Sequence, residues 1–483
     1  MNNIGKIKPI FLVAIILVAA VAAFAGVWYF QQMKPPEKPE KPQEQQPQQG
    51  ITLYVISRHP TDILLKAREE FLKSELAKKY NVVDIRTIVI PPGLWIQYIK
   101  GGMADVAWGG GPTLFDYLYT QGLLAPLTTK EVLEAIAQIP DTLAGMPMKR
   151  KGPDGKVYWV AAAIASFGFT VHHDRLRDYK LTVPKSWRDL ASAAMGKTLI
   201  EFRSAALGIA DPTQSTSNTR MYEIILQRYG WEEGWIILTL MAANAEIFSG
   251  SGDVRDAVIR GDIAVGITID FYGYTAKLVN AKCEYIIPEG ESIVNGDPIA
   301  LVKGSKNPEA AQAFIAWVLT EGQKVWLDPN INRLPSNPKV FETPEGKKRK
   351  DLYEAYQKTL KTVPIRFNDT LAMMYERVMQ WYFRATLIEV NDVLKEAWKA
   401  LLQKYFAGQI SEEDFEKYAR ELGAPLKFKD PETGKVVEFT QKYAIKIQPK
   451  FDKDPTFRDK LISAWKSAAV EKYKAVLKAI TGG

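Results

Sequence analysis

Residues 51–57 alternate apolar and polar side chains and are rich in β-branched types, the pattern of a buried first strand. Leu64, Leu65, Phe71, Leu72 and Leu76 then recur at helical spacing as far as Tyr80, with Asp62 placed to cap the helix. Residues 82–90 read as a second strand and residues 95–100 as a short helix. A third strand, residues 104–108, runs into Gly109, Gly110 and Gly111. Strand, helix, strand, helix, strand is the signature of a parallel α/β sheet.

Residues 158–172 are strongly apolar with many small side chains, as expected of strands that cross between two lobes. A second α/β unit follows, with a helix at 187–194, a strand near 198–202, helices at 220–229, 232–243 and 254–260, and a strand at 263–269. The chain returns through 283–288 and 299–303 into a helix at 308–319. Beyond about residue 345 the pattern is helical and highly charged. Ser411 with Asp414 forms a capping-box pattern for a helix stopping at Gly423, and Asp454 with Pro455 opens another. The expected organisation is a first lobe from 51–160 with a return at 289–345, a second lobe at 161–288, and a helical extension at 346–483. That extension is expected to pack on the first lobe and is assigned no chemistry.

Ahead of this body, residues 10–30 carry no charged or strongly polar side chain and would reach about 31 Å as a helix, enough to span a bilayer. Lys6 and Lys8 precede the run, so the remainder is expected outside the cytoplasm. Ala23, Phe24 and Ala25 offer a cleavage-site alternative, but the apolar run continues through Trp28 and Tyr29, which favours an uncleaved anchor at residues 1–30. Residues 31–50 are almost wholly Gln, Pro, Lys and Glu; they cannot form a core and read as an extended spacer.

Charge changes this picture little. The net charge is +8, but basic and acidic residues alternate along most of the chain, so no nucleic-acid partner is expected. A mildly basic surface suits an anionic ligand. A single cysteine, Cys283, rules out an internal disulfide framework, and three histidines leave few places for a metal or a catalytic dyad. No nucleophile elbow, zinc-protease helix or EF-hand loop is present. Gly196, Lys197 and Thr198 mimic the end of a phosphate-binding loop, but Ala191 stands where its first glycine must be. No enzymatic activity and no cofactor are expected.

Ligands of an open α/β sheet bind where strand carboxyl ends meet helix N-termini. This rule selects Ser57, Arg58 and His59 after the first strand, and Gly109, Gly110, Gly111 and Thr113 after the third. The three glycines allow successive backbone N–H groups to point at a ligand. Thr213, Ser215, Thr216, Ser217 and Asn218 precede a long helix with more hydroxyls than capping needs. Ser249 and Ser251 repeat the pattern, Ser166 lies in the crossing stretch, and Asp270 and Tyr272 end a strand. A tyrosine there offers either packing or an oxygen for a hard cation.

Four stretches, VISRHPTD at 55–62, ADVAWGGGPTLFDYLYTQGLL at 104–124, IASFGFTVHHDRL at 164–176 and NGDPIALVK at 295–303, the last continuing into PEAAQAFIAWVLTEGQ at 308–323, carry a family resemblance. Over residues 51–340 the chain resembles the extracellular solute-binding proteins of the ferric-iron, polyamine and phosphonate group of ABC importers. The resemblance implies a two-lobed type II periplasmic-binding-protein fold that closes on a solute and delivers it to ABC permease and ATPase subunits. For iron it would imply His59, Tyr272 and, as a substitute for a missing second tyrosine, Tyr274, while Gly109–Gly111 replace the expected carboxylate. The residues present are richer in N–H and hydroxyl donors than in metal ligands. They favour a phosphate, phosphonate, sugar phosphate or carboxylate, with Arg58 or His59 supplying charge. Ferric iron or its chelate is the alternative solute, and a sensory or structural surface protein the alternative role.

Overall fold

A computed structural model describes residues 50–482; the expected anchor at residues 1–30 and the spacer as far as residue 49 lie outside the described residues. Among the described residues no helix is long and apolar enough to cross a membrane.

One strand organises the sheet. Val157–His172 runs for 16 residues and is buried along nearly its whole length. Its small side chains, Ala161, Ala162, Ala163, Ala165 and Gly168, let neighbours approach on both faces. Its first half pairs antiparallel with Val294–Val302, and its second half with Val265–Ile269 and Cys283–Ile286. On one side the path continues from Val294–Val302 to Val106–Trp108, Ile51–Ser57 and Val82–Val89; on the other, from Val265–Ile269 to Leu207–Ala210 and Ala245–Phe248. Each outer set is parallel within itself. The sheet as a whole is mixed, because Val157–His172 and Val294–Val302 meet the parallel strands from the opposite direction.

Two sequence expectations fail. Residues 198–202 are not a strand: 198–201 belong to the helix Ala193–Glu201, with Phe202 at its C-cap, and that helix is capped by Ser192 and buries Met195, Thr198 and Leu199 at helical spacing. The strand of that region is Leu207–Ala210, a short all-apolar run. The C-terminal region, expected to cover the first lobe, packs mainly on helices that follow the long strand. Glu412–Gly423 lies on Trp231–Asn244, and Asn391–Phe406 lies on Ala193–Glu201 and Trp231–Asn244. The reason is the helix Trp231–Asn244, which is apolar on nearly all faces and needs cover on both sides. Gly423 meets the backbone of Ile236 so closely that an added Cβ would lie 2.8 Å from its Cα. Tyr382 stacks on Phe439 in the same core beside Trp235, and Trp465 meets both rings edge-on. Asp369–Phe383 reaches across, touching both Thr216–Tyr229 and Pro112–Thr120.

Candidate functional site

Three helices start at the wall of one cavity of about 200 Å³: Pro112–Thr120 after the triple glycine, Thr216–Tyr229 after Ser215, and Ser251–Arg260 after Gly250. Each follows the carboxyl end of a strand and brings first-turn N–H groups that lack intrahelical acceptors. Arg58, His59, Gly110, Gly111, Thr113, Ser215, Thr216, Ser217, Ser251 and Tyr272, all selected from sequence, line this cavity.

Arg58 stands apart from the other arginines of the wall. Its Nη1 donates to the Ile90 carbonyl at 3.0 Å and its Nη2 to the Gln214 carbonyl at 2.5 Å, so it ties the first strand set to the loop preceding Thr216–Tyr229. Among the described residues it has no carboxylate in ion-pair range, and its Nε is buried without a hydrogen-bond acceptor. Burial lowers its affinity for the proton, though a guanidinium remains charged at neutral pH.

The glycine loop has a different role from the one expected of it. Gly110 and Gly111 donate their N–H groups to Asp297 Oδ1, at 3.0 and 3.4 Å, so those donors face the protein's own carboxylate. Asp297 also holds Arg333 Nη2 at 2.5 Å. It is aimed there by an irregularity between Asp297 and Pro298, where proline has no N–H for the ladder. The loop must pass close to His59: Gly109 has φ +78°, and a Cβ there would fall 2.7 Å from the imidazole Nε2.

His59 supplies no charge, contrary to expectation. It is buried edge-on against Trp108, with ring centroids 4.7 Å apart, and receives Arg333 Nη1 on Nδ1 at 3.1 Å. Nε2 therefore carries the hydrogen, 3.5 Å from Asp297 Oδ2. Burial, opposed by Asp297 and reinforced by Arg333, lowers its pKa to about 3. Because the folded pKa lies below the unfolded value, this group's share of stability is complete above about pH 6.5 and is lost as pH falls towards 3, about 2 kcal/mol by pH 5. Because the raised Asp270 carboxyl contributes in the opposite direction over the same range, the loss is read as a difference: between pH 7.5 and pH 5, urea unfolding is expected to show wild type losing about 2 kcal/mol more than His59→Gln. An unchanged pH dependence in the variant would refute a neutral buried imidazole.

The hydroxyl cluster is assembled but partly self-satisfied. Ser217 and Ser251 hydroxyls lie 2.6 Å apart, and Ser215 lies 3.0 Å from Ser251 while capping the N–H of Asn218. Asn218 is buried below them, its Nδ2 donating to Ser251 at 2.7 Å, and does not line the cavity. Six further candidates also lie outside its lining. Ser57 accepts from the N–H of His59 and donates to the Trp108 carbonyl, and Gly109 donates to the Pro298 carbonyl. Thr213 is folded onto Asp211, and Ser249 donates to Asp253. Ser166 donates its N–H to Asp270 at 2.7 Å; burial raises the Asp270 carboxyl to about 7. These residues brace the loops.

Nor is the iron set brought together. Residues 270–279 form a helix, not a strand, so Tyr274 turns away to meet Thr359 at 3.4 Å while Tyr272 faces the cavity beneath Arg255. Burial pushes the Tyr272 phenol up to about 12, the protonated form at neutral pH. Among the described residues no three His, Cys, Asp or Glu side chains converge on a metal position.

Several wall residues escape the strand-end rule. Arg333, Asn295 and Asp297 come from the returning chain, and Arg220, Thr219 and Glu223 from inside a helix. Glu376 and Gln380 come from the C-terminal extension, which therefore supplies part of the cavity wall.

A family model described as bacterial extracellular solute-binding protein matches residues 97–355. Over 244 residues the chain is 28% identical to the phosphoglycerate transport regulatory protein PgtC of Salmonella typhimurium, an alignment covering 50% of this chain and 57% of that relative's length. Among solved structures it is similar in fold to the periplasmic binding protein P5PA (TM-score 0.54, 19% identity, 70% of this chain and 99% of that one). It is also similar to the periplasmic binding protein AfuA from Actinobacillus pleuropneumoniae, solved with fructose-6-phosphate (TM-score 0.51, 19% identity, 64% and 98%).

Proposed function

Because the chain belongs to the bacterial extracellular solute-binding proteins, we propose that it is the receptor of an ABC importer and that its solute is a small phosphorylated anion. The observation that carries this is Arg58: a half-buried guanidinium, its Nε buried without an acceptor and no carboxylate paired with it among the described residues, on a cavity where three helices begin. A phosphate oxygen accepts from a guanidinium and from first-turn N–H groups with the geometry both offer. The name of the 28% identical relative, a phosphoglycerate transport regulatory protein, supports a phosphorylated solute. Arg58 bonds both to Ile90 and to Gln214, so its guanidinium would hold the two strand sets together around the solute. With the apolar run at residues 10–30 as an anchor, residues 50–482 would lie outside the cytoplasm.

The test is a thermal-shift panel on the purified protein. 3-Phosphoglycerate, glycerol 3-phosphate and fructose 6-phosphate are set against glycerate, glycerol, fructose, spermidine and ferric citrate. A solute at 100 times its Kd stabilises by about 2.7 kcal/mol. Phosphorylated members are expected to stabilise and their dephosphorylated counterparts not to; stabilisation by ferric citrate or spermidine alone would defeat the proposal.

A further inference from the structure

Opposite in character to Arg58 is a group of carboxyls on the same cavity wall. Glu223, on Thr216–Tyr229, is only 1% exposed, and its Oε2 meets Arg220 Nη1 at 3.3 Å. Its Oε1 is buried and receives no hydrogen bond from a protein nitrogen or hydroxyl. Glu376, on Asp369–Phe383, faces it, and both line the cavity. Arg220 is itself matched: Nη2 pairs with Asp369 at 2.5 Å and reaches Asn295 Oδ1 at 3.3 Å, and the guanidinium lies over Phe367. Little of its charge is left for a second anionic group.

We infer that Glu223 and Glu376 form a carboxyl pair that reads hydroxyl groups on the solute, making this site selective for hydroxylated phosphate esters over inorganic phosphate and alkyl phosphates. The inference rests on the phosphorylated-solute reading above and adds the chemistry of the solute's other end. Burial raises both carboxyls, Glu223 well above its ordinary range with Glu376 adding to the effect, which favours the protonated form in each. Such a pair both donates and accepts, which is what a hydroxyl needs. A cavity of about 200 Å³ has room for on the order of ten water-sized groups, more than one phosphate fills. An alkyl tail would offer the two carboxyls on the wall no hydrogen-bond partner. Sites built to hydrogen-bond a hydroxyl discriminate strongly against analogues lacking it. Because Glu376 comes from the C-terminal extension, part of the specificity would reside outside the family-matched residues 97–355.

Calorimetric titration of the full-length protein with glycerol 3-phosphate, propyl phosphate and inorganic phosphate tests this directly. The wild type is expected to bind glycerol 3-phosphate at least about tenfold more tightly than propyl phosphate. Glu376→Leu and, separately, Glu223→Gln are expected to shrink that ratio several-fold. Equal affinity for the two esters in the wild type overturns the inference while leaving the phosphate reading standing, and needs no variant to fold. A ratio unchanged in both folded variants also overturns it. Failure of all three phosphates to bind removes the phosphate reading and this inference together.

Discussion

Asp297→Ala is expected to lower the unfolding free energy by about 3–5 kcal/mol, because it strands a buried charge. Asp297 is 5% exposed and Arg333 4%, and their contact is 2.5 Å. Without the carboxylate, Arg333 keeps Phe271 and Trp326 beneath its guanidinium, at 4.8 and 5.6 Å, and the His59 ring at 3.1 Å. None of these carries a negative charge. The Gly110 and Gly111 N–H groups lose their acceptor at the same time. The double substitution Asp297→Leu with Arg333→Met removes both charges and is expected to recover part of the loss. Urea unfolding followed by tryptophan fluorescence measures both. A single-variant change within 0.5 kcal/mol, on the order of an ordinary surface substitution, would show that the carboxylate does not hold this loop.

Arg58→Met is expected to weaken binding of a phosphorylated solute by about 3 kcal/mol, on the order of a hundredfold, mainly through faster dissociation. Methionine keeps much of the apolar stem and removes the guanidinium. Two hydrogen bonds to the Ile90 and Gln214 carbonyls go with it, so a modest loss of stability is also expected. Arg58→Lys separates charge from geometry. A lysine ammonium keeps the charge without the planar fork, and affinity should fall between those of wild type and Arg58→Met. Calorimetry reads the affinities. Equal binding by wild type and Arg58→Met would move the anion elsewhere in the cavity.

Much of the site was legible because it is built from local grammar. Arg58 follows an alternating apolar strand, Thr113 follows a glycine run, and Ser215 and Ser251 stand at helix starts; ten residues found this way line one cavity. What escaped is non-local. Nothing near Gly110 announces that its N–H faces Asp297, 187 positions later, and nothing near His59 announces Arg333, 274 positions later. These contacts turned an expected anion nest into an internal brace and an expected cation into a neutral ring. The misread strand at 198–202 was an error of period, since Met195, Thr198 and Leu199 already repeat at helical spacing. The apolar faces of Trp231–Asn244 signalled that something must cover that helix, but only the three-dimensional packing shows the C-terminal extension doing so. Glu376 and Gln380 reach the cavity through that packing.

The solute's phosphoryl group is proposed to bind at Arg58 between the three helix starts. A co-crystal or soaked structure with glycerol 3-phosphate, at data quality sufficient to place phosphorus by anomalous scattering, tests it most directly. The predicted result is phosphorus within hydrogen-bonding reach, through its oxygens, of the Arg58 guanidinium and of first-turn N–H groups at Thr113, Ser217 or Gly252. Phosphorus lodged instead at Arg220 or on the outer surface, with Arg58 still bonded only to Ile90 and Gln214, would contradict it.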